Sequence, residues 1–254
     1  MCDRQSIFTG NHTCGNILET TPEYECMKNR LKEDLIHISA IGRPSGRRIR
    51  SLEDLDPSEG VTRPEGSPAN KVLRDYTVQQ MQAAGLVIRA DRVGNIFGRK
   101  AGQQNRQTVV MIGSHLDSVI NGGNLDGPLG VYTGIEAVRR LRDEAFENQR
   151  AIKVVAFTGE EGSAFITATL IGSAVLASEI SAEEALATQN MEGRSLCEAL
   201  HQIGYQGDYV YPVGNIGDFI ELAIEQGPIL DFENTPVGIV ESINGNRHGF
   251  CLQR

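Results

Sequence analysis

The sequence predicts an α/β fold, with a mixed, mainly parallel sheet and helices on both faces. Three observations lead there. Two short apolar runs, residues 109–112 and 153–157, read as buried strands. Each is followed by a glycine-containing polar loop and then by apolar residues at helical spacing. The side chains with metal or acid–base chemistry collect directly after these runs, beyond the strand ends where ligands gather in sheets of this class. The 254 residues, 40% of them hydrophobic, suffice for one large core, or for one domain and the start of another.

Taken in order, residues 1–22 are polar and read as a loose leader. Residues 23–41 place Leu31, Leu35, Ile38 and Ile41 among charges, an amphipathic helix. Residues 42–67, rich in Gly and Pro, form a long connection of a kind that is often functional. Arg47, Arg48 and Arg50 within it read as a solvated loop. Residues 69–84 read as a helix that Gly85 ends. Residues 86–89 and 95–98 read as short strands around a turn. After the strand at 109–112, Pro128 suits a first helical turn, and Leu129, Val131, Ile135, Val138 and Leu141 continue at helical spacing. Beyond the strand at 153–157, residues 163–178, 181–187 and 193–204 read as helices, with Ser181 and Glu184 spaced as a capping box. Residues 219–226 alternate, with Ile220, Leu222 and Ile224 on one side and Glu221, Ala223 and Glu225 on the other. Gly227-Pro228 breaks this run, and residues 237–243 begin another strand.

Composition removes several function classes. A net charge of −9 without a long Lys/Arg run argues against nucleic acid and anionic membranes as partners. No apolar run reaches bilayer length, and the N-terminus has no signal-peptide pattern. Five scattered cysteines provide neither a disulfide framework nor a Cys-x-x-Cys metal site, so a reducing, cytoplasmic compartment is expected. No phosphate-binding glycine motif follows a strand.

The remaining chemistry lies in two loops. His115 and Asp117 follow the first central strand, Asp126 ends its loop, and Glu160 and Glu161 follow the second strand. If the strands are parallel neighbours, one imidazole and four carboxylates converge. Such crowding raises carboxylate pKa values unless a cation sits among them. Imidazole with carboxylates suits Zn²⁺ or Mn²⁺. Asp126 also stands where a helix N-cap would, beside Pro128, and Gln226 also fits a plain strand end. His201 and His248 read as structural or solvated.

Four motifs together carry a resemblance. They are residues 113–117 (Gly-Ser-His-Leu-Asp), 122–130 (Gly-Gly-Asn-Leu-Asp-Gly-Pro-Leu-Gly), 157–162 (Phe-Thr-Gly-Glu-Glu-Gly) and 224–230 (Ile-Glu-Gln-Gly-Pro-Ile-Leu). With them the chain resembles the dinuclear-metal amidohydrolases of the aminoacylase and carboxypeptidase G superfamily. Its ureido branch is the nearer match: N-carbamoyl-L-amino-acid hydrolases, β-ureidopropionases and allantoate amidohydrolases. The resemblance implies a zinc-peptidase-like catalytic domain over residues 23–235, and a lid and dimerisation domain beginning within 236–254, where the chain stops. It implies two divalent ions, Zn or Mn, held by His115, Asp126 (bridging) and Glu161. It also implies that Asp117 orients His115, that Glu160 is the general base, and that Gln226 lies near the ureido end of the substrate.

One position departs from the pattern. Where the family places a histidine two residues before Glu-Gln-Gly, this chain has Ala223. The implied reaction is hydrolysis of a linear ureido or amide C–N bond in a small molecule, N-carbamoyl-L-amino acids foremost, by a full-length homodimer. The alternatives are an allantoate amidohydrolase, an aminoacylase or peptidase, and a truncated non-catalytic fragment or pseudoenzyme.

Overall fold

The computed structural model describes residues 22–104, 107–165, 170–212 and 214–241. The leader expected over residues 1–22 falls outside them except for its last residue. The chain divides into two compact units, residues 1–223 and 224–254.

The first unit is built on five strands: β1 (Val87–Ala90), β2 (Ile96–Lys100), β3 (Val109–His115), β4 (Ile152–Phe157) and β5 (Ile216–Ile220). Their order across the sheet is β1-β2-β4-β3-β5. β4–β3 and β3–β5 pair parallel, while β1–β2 and β2–β4 pair antiparallel. The sheet is therefore mixed, as expected, with parallel pairing confined to the β4–β3–β5 half rather than predominating. That half carries the polar loops. The β3–β4 register sets Ser114 opposite Ala156 and His115 opposite Phe157, so both strands end at one level.

The helices α1 (Pro22–Ser39), α2 (Pro68–Ala83) and α3 (Pro128–Asp143) meet the sheet through one apolar cluster. Leu35 and Ile38 of α1, Leu73 and Met81 of α2, and Val131, Tyr132, Ile135 and Val138 of α3 pack with Ile96, Val154 and Ala156. Local signals start and stop these helices. The Ser67 hydroxyl accepts the Asn70 amide ahead of Pro68, and Gly85, at φ +84°, follows the end of α2. In α3, glycine lets the backbone lie close on β3: a Cβ on Gly134 would meet Ile112 at 3.1 Å.

Three short helices form a second cluster: α4 (Ile171–Leu176), α5 (Ala182–Ala187) and α6 (Leu196–Ile203). The capping box expected at Ser181 and Glu184 is present, and Ser195 with Glu198 repeats it at α6. The single long helix expected over 163–178 is replaced by α4 alone, with residues 166–169 outside the described set. The reason is a competing use of the backbone. The amides of Leu170, Ile171 and Gly172 donate to the carbonyls of Glu160, Gly159 and Thr158, which straps this segment onto the turn after β4.

The strand expected over 219–226 instead occupies Ile216–Ile220, and Phe219, Ile220 and Leu222 are exposed. β5 is an edge strand. Its ladder with β3 ends at Ile112 opposite Ile220, after which Ser114 meets Glu221 through side chains. Residues 237–241 form no strand, and 242–243 lie outside the described residues. Arg47, Arg48 and Arg50 are exposed, as a solvated loop requires. Among the described residues of the second unit is one short helix, α7 (Ile229–Phe232), whose first amides donate to the Glu225 carboxylate. Among the described residues, no helix is long and apolar enough to cross a membrane.

The other sheet face buries Phe97, Met111, Val155 and Phe157 with Tyr211. Lys153 lies there, 3% exposed, with its ammonium 4.0 Å from the centre of the Tyr211 ring and its Nζ donating to the Tyr209 hydroxyl at 3.1 Å. Burial pushes its pKa down to about 8. The folded value lies below the unfolded one, so the lysine costs stability below pH 8 and that cost fades as pH rises toward 10.5. The shift corresponds to about 3 kcal/mol, against roughly 1–2 kcal/mol returned by the aromatic faces. Lys153→Met is therefore expected to raise the unfolding free energy by about 1–2 kcal/mol at pH 7 in urea denaturation. The parent chain should gain stability between pH 8 and 10, and the variant should lack that gain.

Candidate metal centre

His115 is the last residue of β3, and its imidazole is oriented by the loop that follows. Nδ1 lies 2.9 Å from the Asp117 carbonyl oxygen. A carbonyl only accepts, so Nδ1 donates this contact and Nε2 is the nitrogen left for a ligand. Nε2 lies 3.6 Å from a Glu161 carboxylate oxygen. Ligand atoms of His115, Asp126 and Glu161 all lie within 4.8 Å of one another. One nitrogen and two carboxylate oxygens, all partly buried, form a donor set suited to a hard or borderline divalent cation.

Gly127 makes room for the imidazole. Its φ of +85° is open only to glycine at little cost, and a Cβ there would lie 2.5 Å from the His115 ring. Gly127 is the N-cap of α3, so Asp126 stands one residue before the cap position that the sequence also allowed it.

Asp117 sits 1% exposed beneath the centre. Its carboxylate accepts the Glu160 amide at 3.2 Å on one oxygen and the Glu161 amide at 3.1 Å on the other. The resemblance implied that this carboxylate orients His115. Here Nδ1 lies against the Asp117 carbonyl oxygen and 3.6 Å from the Asp117 carboxylate, whose two oxygens also accept from the turn after β4.

Glu160 is held by α4. The Ser173 amide donates to one carboxylate oxygen at 2.9 Å and the Ser173 hydroxyl to the other at 2.6 Å. Burial pushes the Glu160 pKa up, against these two hydrogen bonds. Burial also raises Glu161, with Asp126 and Asp117 adding to the rise and His115 opposing it. This is the crowding expected of carboxylates around a position for a cation.

His115, Glu160 and Glu161 line one open cleft of about 560 Å³ together with Ser114, Ser173 and Glu221. Met111, Phe157 and Phe219 supply an apolar wall. Ala223 is exposed just beyond Glu221 at the end of the first unit. Gln226 lies in the second unit, in the turn before α7.

The chain is similar to several known proteins. The family model for Peptidase family M28 matches residues 95–207. A crystal structure of a hydantoinase/carbamoylase family amidase from Burkholderia ambifaria superposes with a TM-score of 0.72 at 34% identity, covering 81% of this chain and 47% of that one. An N-carbamoyl-L-amino acid amidohydrolase from Geobacillus stearothermophilus is 42% identical over 204 residues, 78% of this chain and 49% of that protein. Over these residues the chain is similar to the hydantoinase/carbamoylase family amidases and the N-carbamoyl-L-amino acid amidohydrolases. An allantoate amidohydrolase from Bacillus subtilis is also similar, 37% identical over 171 residues, covering 66% of this chain and 41% of that protein. The chain spans about half the length of the curated relatives it matches.

Sequence reading did not single out Ser173, Glu221, Asn95 or Glu65, all of which touch the site or its supports. Ser173 and Glu221 follow no local pattern of their own. Glu65 falls in the connection 42–67, and its length was the one available signal.

Gly127→Ala is expected to displace His115, since the new methyl would overlap the ring and the backbone angle would be strained. A loss of about 2–4 kcal/mol in stability and a Zn²⁺ affinity at least tenfold weaker in calorimetric titration would bear this out.

Proposed function

We propose that this chain belongs to a divalent-metal-dependent amidohydrolase of linear ureido C–N bonds, with N-carbamoyl-L-amino acids as the preferred substrate class. The observation that carries the reading is the placement of the His115, Asp126 and Glu161 donors around one point, with the Glu160 carboxylate beside them. The names of the similar proteins from Geobacillus stearothermophilus and Bacillus subtilis support the same reaction class.

A divalent cation bound here would polarise a substrate carbonyl and make water acidic enough to attack it near neutral pH. The chain's own groups supply the rest. Asp117 holds the carbonyl and amide geometry from below, keeping Glu160 and Glu161 facing the cleft. Glu160 takes a proton from the attacking water and gives it to the leaving nitrogen. Its raised pKa suits both directions of transfer better than that of an exposed carboxylate. Ser173 fixes both of its oxygens, so the base does not wander. Gln226 is assigned to the ureido end of the substrate on the strength of the Ile-Glu-Gln-Gly-Pro motif. The reaction yields an amine, carbon dioxide and ammonia. Zn²⁺ and Mn²⁺ both suit the donors, a homodimer and a cytoplasmic location belong to the same reading, and a second ion would lack the imidazole that Ala223 replaces.

Ala223 favours a second reading, in which the chain binds an ion without turnover. A methyl group cannot replace the imidazole that the resemblance implies at this position. Ammonia release from N-carbamoyl-L-amino acids, with Zn²⁺ or Mn²⁺ supplied, decides between the two readings.

Elemental analysis is expected to find one divalent ion per chain, lost in His115→Ala. Ala223→His should raise the content toward two. Glu160→Gln should keep the ion and lower any ammonia release by about 10²–10⁴-fold. A parent chain without bound metal would remove the reading.

A further inference from the structure

Four consecutive amides follow β4, and side chains from three separate parts of the chain claim all of them. Thr158 N donates to Asn95 Oδ1 at 3.0 Å, and Gly159 N to Glu65 Oε2 at 3.1 Å. Glu160 N and Glu161 N donate to the two oxygens of Asp117. A turn whose every amide is held in this way has little freedom to re-aim the side chains it carries.

Glu65 is the costly member of this set. It is 4% exposed, and a buried carboxylate needs several good donors to be tolerated. It has three: Gly66 N on Oε1, and Gly159 N and Arg74 Nη2 on Oε2. Arg74 is fully buried and extends the grip. Nη2 also reaches the Thr158 hydroxyl at 2.9 Å, and Nη1 reaches the Gly94 carbonyl at 2.8 Å. The segment carrying Glu65 is itself fixed to the loop after β3. Val61 and Gly122 exchange both backbone hydrogen bonds, and Arg63 N donates to Ser118 Oγ. Glu65 therefore spans the loop between His115 and Asp126 and the turn that carries Glu160 and Glu161.

We infer that Glu65 is a positioning residue of the metal centre: its contact with Gly159 sets where the Glu160 and Glu161 carboxylates point. Glu65 touches neither the ligand position nor the cleft. It acts through the Gly159 amide, with Arg74 neutralising it and α2 anchoring both. The inference rests on the metal reading proposed above. A carboxylate that only stabilised the core would leave metal affinity unchanged when replaced at constant fold.

The test compares the parent chain with Glu65→Gln, Glu65→Asp and, as a control for lost stability, Asp34→Asn. Asp34 pairs with Arg139 between α1 and α3, away from the centre. Zn²⁺ affinity is read by calorimetry, and exchange of the Gly159 amide is read by NMR. Glu65→Gln is expected to weaken Zn²⁺ binding by about 10–100-fold, as for partners that orient metal ligands. It should speed Gly159 amide exchange at least tenfold. Glu65→Asp keeps the charge for Arg74 and should fall between the parent and Glu65→Gln. Asp34→Asn should lose stability with unchanged Zn²⁺ affinity. Parent-like affinity and Gly159 exchange in Glu65→Gln would overturn the inference while leaving the metal reading standing. Absence of Zn²⁺ binding in the parent would remove both, by a different observation. Failure of both Glu65 variants to fold would make Glu65 a folding residue and overturn the inference.

Discussion

The parallel register of β3 on β4 is the constraint on which the candidate centre depends. With His115 opposite Phe157, the two strands finish level, and the loops leaving them have no choice but to share one space. The consequences follow from the chain's own polar groups. Asp117, two residues past the end of β3, is buried against the turn after β4 and takes its amides as hydrogen-bond partners. A shift of one residue in that register would turn every side chain of the strand to the opposite face. It would also part Asp117 from Glu160 and Glu161. The aliphatic packing of α3 on β3, made close by Gly134, holds the register from below.

What was legible in the sequence was whatever depends on neighbours along the chain. Buried runs marked β3 and β4, Pro128 and Gly85 marked helix ends, and Ser181 with Glu184 marked a cap. The convergence of His115, Asp126 and Glu161 was legible too, because it needs only two strands and the rule about strand ends. Contacts between distant segments were not legible. The helix expected over 163–178 fails because its backbone is strapped to residues 158–160, and no periodicity reports such a strap. The alternation at 219–226 is real in the sequence but leads to an edge strand, where exposed Ile220 and Leu222 gain little from it. The hold of the Asp117 carboxylate on amides 43 and 44 residues further on was hidden for the same reason.

Beneath the centre, the structure places ions where a core would ordinarily be apolar. Glu65, Arg74 and Asp117 are buried, and Asn95 joins them in satisfying the turn. Replacing such a network by apolar side chains is often neutral or stabilising. Its presence therefore calls for a reason other than stability, and direction is the reason available: hydrogen bonds fix where a backbone amide points, and apolar contacts do not. The raised pKa of Glu160 comes from its own burial, against the two hydrogen bonds by which Ser173 aims its carboxylate.

Because 44 residues separate Asp117 from Glu161, the donor set exists only after β3 and β4 have paired. The denatured chain offers single ligands with no geometry in common. An ion bound there would be linked to folding by mass action: free ion at about 100 times its dissociation constant would add ~2.7 kcal/mol to the folded state. A chelator would withdraw the same amount. The melting temperature of such a chain would be a property of its buffer as well as of its sequence, and the supply of divalent ions would become part of what keeps it folded.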